Sequence, residues 1–223
     1  MPLEVLLLDI DGTLVDSNDA HARAWVDVLS DAGFPAAFAE VRRLIGMGGD
    51  KLLPKMSGVS KEEPLGKELS EARTRRFTEH YLPTLRPFPG VRPLMERVRA
   101  LGVQLVAATS SNEDEAKALA RIAGIDDLLL AKTSSDDAAH SKPDPDIVVA
   151  ALARAGASPD RAMMLGDTPY DVTSATRAHV DLVAVRSGGW GDEDLHGAVA
   201  VYDDVRDLLA HFDQSPIARR AVG

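Results

Sequence analysis

The chain has 223 residues, 45% hydrophobic and 27% charged, which is enough apolar side chain for one large domain, or a core carrying a smaller module, and excludes general disorder. Its 25 Lys and Arg against 35 Asp and Glu leave a net charge of −10, which repels nucleic-acid backbones and anionic membranes, so neither is an expected partner. The absence of cysteine removes disulfides, thiolate metal sites and a cysteine nucleophile.

The first apolar run, Val5-Leu6-Leu7-Leu8, stops at Asp9 with no basic segment before it, so it is neither a signal peptide nor a membrane span. A cytoplasmic location is expected. The run predicts a strand over Val5–Asp9. From Asp16 to about Pro87 the spacing is helical almost throughout: Ala20–Ala32 stopping at Gly33, Phe38–Ile45, Lys51–Met56, and a long polar helix Glu62–Leu82 ending near Pro83. Beyond it, predicted helices Val91–Leu101, Glu113–Ala123 and Pro145–Ala155 each end at a glycine. Predicted strands are Val103–Ala108, Asp127–Leu130, Ala162–Gly166, Leu182–Val185 and a weaker Ala198–Tyr202. Asp203–Phe212 reads as a closing helix, and the tail after it as frayed.

Strands that alternate with helices and read as continuous apolar runs imply an α/β fold, a Rossmann-like parallel sheet flanked by helices. An all-helical cap is inserted after the first strand, so the expected division is a core of residues 1–16 and 88–223 and a cap of 17–87. Segments near Asp16 and Pro87–Pro89 are candidate hinges.

The strongest chemical signal is Asp9-Ile10-Asp11-Gly12-Thr13 at the end of the first strand. In an extended segment residues two apart face the same way, so Asp9 and Asp11 present adjacent carboxylates whose repulsion a divalent cation would relieve. An ordinary Asp-Gly turn is the competing reading; an EF-hand loop is excluded by the position of Gly12. Gly166-Asp167-Thr168-Pro169-Tyr170-Asp171 follows another apolar strand. Ligands bind beyond such strand ends, and neighbouring strands would gather four carboxylates suited to Mg²⁺. Asp167 and Asp171 also suit a helix N-terminus. Thr109-Ser110-Ser111-Asn112 offers an anion site or an N-cap, and Lys142 lies in a proline-flanked loop where a solvated charge is the alternative.

Taken in order, Asp9-Ile-Asp11-Gly-Thr, Thr109, Lys142-Pro143 and Gly166-Asp167 with Asp171 resemble the four-motif signature of the haloacid dehalogenase superfamily, over Leu3 to about Val185. The insert resembles the helical cap of the subgroup that includes phosphoglycolate phosphatases and β-phosphoglucomutases. The resemblance implies that Asp9 attacks phosphorus and Asp11 acts as acid and base. It implies Mg²⁺ held by the Asp9 carboxylate, the Asp11 backbone carbonyl and Asp167, with Asp171 behind them. Thr109 and the Ser110 N–H would grip phosphoryl oxygens while Lys142 offsets their charge. An acid at position 11 favours phosphate esters over dehalogenation, since a departing halide needs no proton.

The stretch from Asp16 to Trp25 resembles that of β-phosphoglucomutases and related phosphatases, with His21 facing the site or satisfied at the interface and Trp25 in the cap core. In mutases the cap loop carries an arginine where Gly49 stands here. Lys51 or Arg43 could serve a second anionic group, or lie on a solvated face. The expectation is a Mg²⁺-dependent phosphatase acting on a small phosphorylated metabolite as a monomer. A sugar-phosphate mutase and a non-catalytic phospho-acceptor or binding module, receiver-like included, are the alternatives.

Overall fold

In the computed structural model, which describes residues 1–222, the strands are β1 (Val5–Leu8), β2 (Gln104–Ala108), β3 (Ala131–Thr133), β4 (Ala162–Gly166), β5 (Asp181–Val185) and β6 (Ala200–Tyr202). They pair in parallel throughout, in the order β3-β2-β1-β4-β5-β6. Leu7 sits opposite both Val106 and Met164, so β1 is central. Helices between β1 and β2 are α1 (Asn18–Asp31), α2 (Phe38–Leu44), α3 (Gly49–Ser57), α4 (Pro64–Arg76) and α5 (Val91–Ala100). Further on come α6 (Glu113–Ile122), α7 (Asp146–Ala155), α8 (Pro169–Arg177), α9 (Val205–Ala210) and α10 (Pro216–Val222).

The inner strands are apolar except at their first residues, Gln104 and Asp181, because both faces are covered, and alternate residues serve different cores. Leu6, Leu8, Leu105, Ala107, Met163 and Leu165 pack with α5, α6 and α9 on one face. Val5, Leu7, Val106, Ala108 and Met164 pack with α7 and α8 on the other. The chain steps from β1 outward to β2 and β3, then crosses back to β4, so the order reverses at the β1/β4 boundary. That reversal opens a crevice beyond the strand ends, the place where such sheets bind ligands.

Helices α1 to α4 keep a third core of their own, with Trp25, Val28, Leu29, Val41, Leu52, Leu53 and Leu69. Their connections to the sheet run side by side: the Asp16 N–H donates to the Arg86 carbonyl (3.1 Å) and the Phe88 N–H to the Leu14 carbonyl (2.9 Å). Among the described residues no helix is long and apolar enough to cross a membrane.

Three expectations are corrected. Asp127–Leu130 is not a strand; Leu128 and Leu129 pack on the core from a turn, and the short edge strand follows at Ala131–Thr133. An edge strand is only partly covered and can be polar, which hides it from an apolar-run criterion. The long helix predicted over Glu62–Leu82 begins at Pro64, ends at Arg76 and continues as a π turn over Phe77–Tyr81 and a 3₁₀ turn over Leu82–Thr84. The π turn buries Phe77 under the ring of His21 (centroids 4.0 Å apart). The tail is not frayed: α10 buries Ile217 and Ala218 against the first core, and Arg220 donates to Asp181 at 3.0 Å. Helix α8 is an added element, opened by a Thr168–Asp171 capping box.

Ile217→Ala should cost about 2–5 kcal/mol in urea unfolding, the range for truncating a buried aliphatic side chain. An unchanged midpoint would show that α10 is not docked.

Candidate active site

Asp9 and Asp11 emerge from β1, Thr109 and Ser110 from β2, and Asp167 and Asp171 from β4 and the start of α8. The adjacency of β1 and β4 brings carboxylate oxygens of Asp9, Asp167 and Asp171 within 4.8 Å of one another, all three side chains buried. Lys142 lies fully buried between two of them, its Nζ 2.6 Å from Asp9 Oδ1 and 2.7 Å from Asp171 Oδ1. Thr13 Oγ1 is 2.7 Å from Asp167 Oδ1 and 3.1 Å from Asp9 Oδ2, and Asn18 Nδ2 donates to Asp167 Oδ2 at 3.0 Å. Asp171 accepts from the Thr168 N–H (3.0 Å) and hydroxyl (2.6 Å), so it both caps α8 and holds Lys142.

Burial raises Asp9 to about 7 from an ordinary 3.8; Lys142 opposes this, while Asp171 and Asp11 add to it. Burial and the charges of Asp9 and Asp171 likewise hold Asp167 well above the carboxylate range. For Lys142 burial is outweighed by Asp171 and Asp9, which keep it charged and push its pKa up. One cation among three carboxylates leaves the cluster short of positive charge. A purely oxygen donor set of this kind fits a hard divalent cation. Two glycines let the Asp167 carboxylate pack this close: a β-carbon on Gly12 (φ 78°) or Gly188 would collide with it.

Asp11 turns away from that cluster. Its carboxylate meets Ser17 Oγ (2.5 Å), His21 Nε2 (2.7 Å) and Ser111 Oγ (2.8 Å), with Thr109 Oγ1 farther off at 3.4 Å. Burial alone would raise its pKa, but His21 and the two serines outweigh burial and hold it well below the usual range. Ser17 occupies the N-cap position of α1 yet makes no cap bond, its hydroxyl being committed to Asp11. His21 therefore faces the site.

A cleft of about 100 Å³ opens over Asp9, Asp11, Thr109 and Ser110, roofed by Trp25, Gly49 and Arg73 of the helical insert. Ser110 is half-buried, and Thr109 Oγ1 accepts from the Ser111 N–H at 3.1 Å. Gly49 begins α3 under Trp25, and a β-carbon there would lie 3.1 Å from the indole. Lys51 and Arg43 do not line the cleft: Lys51 pairs with Asp144 at 2.6 Å, and Arg43 stacks on Trp190 at 4.3 Å.

The sequence reading gave no role of their own to Thr13, Ser17 and Asn18, placed Ser111 only in an anion-site or N-cap run, and missed Arg73 and Glu115. Arg73 sits on a polar helix with no motif near it, whereas Glu115 has a local signal. Asn112-x-x-Glu115 is an N-capping pattern, and the Asn112 side chain does accept from the Glu115 N–H (2.9 Å).

A reversed parallel sheet with buried carboxylates and a lysine at its switch point defines a doubly wound α/β protein with a polar, cation-seeking site. Residues 3–179 match the haloacid dehalogenase-like hydrolase family, and the chain belongs to it. It is 32% identical to a phosphoglycolate phosphatase of Rhodospirillum rubrum, over 92% of this chain and 89% of that protein. It is 26% identical to an N-acetylmuramic acid 6-phosphate phosphatase of Pseudomonas aeruginosa, over 96% and 97% of the two chains. A solved hydrolase from Pseudomonas syringae superposes with a TM-score of 0.87 at 31% identity, covering 95% of this chain and 98% of that one.

The raised pKa of Asp9 gives a signed prediction for metal-free protein. The folded state holds a proton on Asp9 that the unfolded chain releases near pH 3.8, so this contribution to stability falls as pH rises toward about 7. Asp9→Asn should gain on the parent across that window, by at most about 1.4 kcal/mol per pH unit. Urea unfolding in EDTA at several pH values measures it, and parallel stability profiles would refute the assignment.

Proposed function

We propose that the protein is a Mg²⁺-dependent phosphatase that hydrolyses a small phosphate monoester through a phosphorylated Asp9. The observation that carries this reading is the meeting of Asp9, Asp167, Asp171 and Lys142 beside an Asp11 with separate partners. The Asp9 and Asp167 carboxylates and the Asp11 backbone carbonyl would hold the cation, with Asp171 behind them. When bound, Mg²⁺ favours the ionised form of Asp9 and neutralises charge on the phosphoryl oxygens.

Asp9 attacks phosphorus as the bond to the leaving alkoxide breaks, and Asp11 gives that oxygen its proton. Water then attacks phosphorus while Asp11 takes a proton back, and the Asp9–phosphorus bond breaks to release phosphate. Asp11 as found is suited to the second step. For the first it needs a proton, which a dianionic phosphoryl group arriving beside it favours by like-charge repulsion. Thr109 and Ser110 would position the phosphoryl oxygens, and Lys142 lies against Asp9 to offset their charge.

Residues 17–87 act as a cap in this reading, carrying His21 to Asp11 and closing the cleft against water, with residues 1–16 and 88–223 as the core. The setting is a cytoplasmic monomer acting on a soluble phosphorylated metabolite. Gly49 stands where the mutase loop carries its arginine, and Arg73, the arginine that does line the cleft, is paired with Glu115, which speaks against a mutase. The developed surroundings of Asp11 speak against a silent acceptor module.

Purified protein should release phosphate from p-nitrophenyl phosphate with Mg²⁺ and lose that activity in EDTA. Asp9→Asn should lower turnover at least about 10³-fold with the fold retained. Asp11→Asn should cost about 10²–10⁴-fold on an alkyl ester but far less on p-nitrophenyl phosphate, whose leaving group departs without a proton. Near-parental turnover by Asp9→Asn would end the covalent reading.

A further inference from the structure

The cleft holds one buried ion pair that this chemistry does not use. Arg73 of α4 and Glu115 of α6 meet across its wall, with Nη1 2.7 Å from Oε1 and 2.9 Å from Oε2. Glu115 is 2% exposed and the Arg73 side chain 11%, and both line the cavity that contains Asp9 and Asp11. The guanidinium also contacts His21 Nδ1 through Nη2 and lies over the Phe77 ring at 4.9 Å, while its buried Nε has no partner.

An arginine at this place with no acidic partner would suit a carboxylate on the leaving group, since its fork matches that anion. Here Glu115 already fills that role. A second carboxylate would meet the charge of Glu115 inside a site that also holds Asp9 and Asp11. What remains is a wall of mixed polarity: the outer lone pairs of Glu115, the hydroxyls of Ser70 and Thr74, and the Asn112 amide, beside the indole of Trp25. Groups that both donate and accept fit such a wall, and hydroxyls do both. Lys61 is the other cation on the cavity wall, but it is half-exposed and also lines the adjoining outer cleft.

We infer that the leaving group is uncharged and hydroxylated, of the polyol or sugar class, and that Glu115 is the positioning residue that sets this preference by occupying Arg73. The inference rests on the phosphatase reading. It departs from the carboxylate-bearing ester after which the R. rubrum relative is named.

The test compares 2-hydroxyethyl phosphate with 2-phosphoglycolate, which differ only in a hydroxymethyl group against a carboxylate, with p-nitrophenyl phosphate alongside. The parent enzyme should favour the hydroxylated ester at least about tenfold in kcat/KM. Glu115→Gln, which removes the charge and keeps the shape, should shift the ratio toward 2-phosphoglycolate by about tenfold or more, read in KM for that ester. Arg73→Met added to Glu115→Gln should cancel the shift. A parental preference for 2-phosphoglycolate, including one that Lys61→Met abolishes, overturns the inference, as does a ratio that Glu115→Gln leaves unmoved. The parent comparison decides even if a variant fails to fold. Turnover of none of the three esters overturns the phosphatase reading itself.

Discussion

The site depends on one buried arrangement, a lysine held between carboxylates at the ends of two adjacent strands. Lys142 is fully removed from water and is kept charged by Asp9 and Asp171. Removing one partner of such a group leaves an uncompensated buried charge, a far larger penalty than loss of a surface ion pair. The topology makes the arrangement attainable. Because β4 pairs with β1, residues more than 150 positions apart share hydrogen bonds through Thr13 (|i−j| 154). Burial and mutual repulsion keep protons on Asp9 and Asp167, protons that a divalent cation would displace where it and a phosphoryl group would meet.

The helical insert matters because Asp11 is satisfied from both sides. His21 and Ser17 reach it from α1 and the segment before it, Ser111 from the loop after β2. Farther out, Arg42 donates to the Gly188 carbonyl at 2.8 Å and the Tyr170 hydroxyl to the Arg43 carbonyl at 2.7 Å, so the rim is fastened by contacts between insert and sheet. Any motion of the proposed cap would therefore change the partners of Asp11 and, through Asn18, those of Asp167. Access to the cleft would be coupled to both carboxylates.

Much of this was legible in the sequence because it follows short-range rules. Carboxylates two apart at a strand end, a lysine in a proline-flanked loop, and a Gly-Asp after a second strand each have a local pattern, and the sheet order then brings them together. The misreadings have equally local causes. Leu128 and Leu129 look like strand residues because packing from a turn also needs apolar side chains. Ile217 and Ala218 lie in so short a segment that no helical period develops. The pairing of Arg73 with Glu115 was out of reach for a different reason. Each belongs to a polar stretch that reads as a solvated helix face, and only the docking of α4 over α6 turns the two into a buried pair.

The contrast between Asp9 and Asp11 shows how two identical side chains, two residues apart, acquire different chemistry. Both are buried, so desolvation pushes both toward the neutral form. Asp9 faces further carboxylates and one lysine, and remains raised. Asp11 faces an imidazole and two hydroxyl donors, which reverse the effect. Pairs of titratable groups whose environments separate their pKa values mark a division of labour in acid–base chemistry. Here the division places the group that responds most to a cation where phosphorus would be attacked. The group held by exchangeable hydrogen bonds is the one from which the proposed mechanism would move a proton.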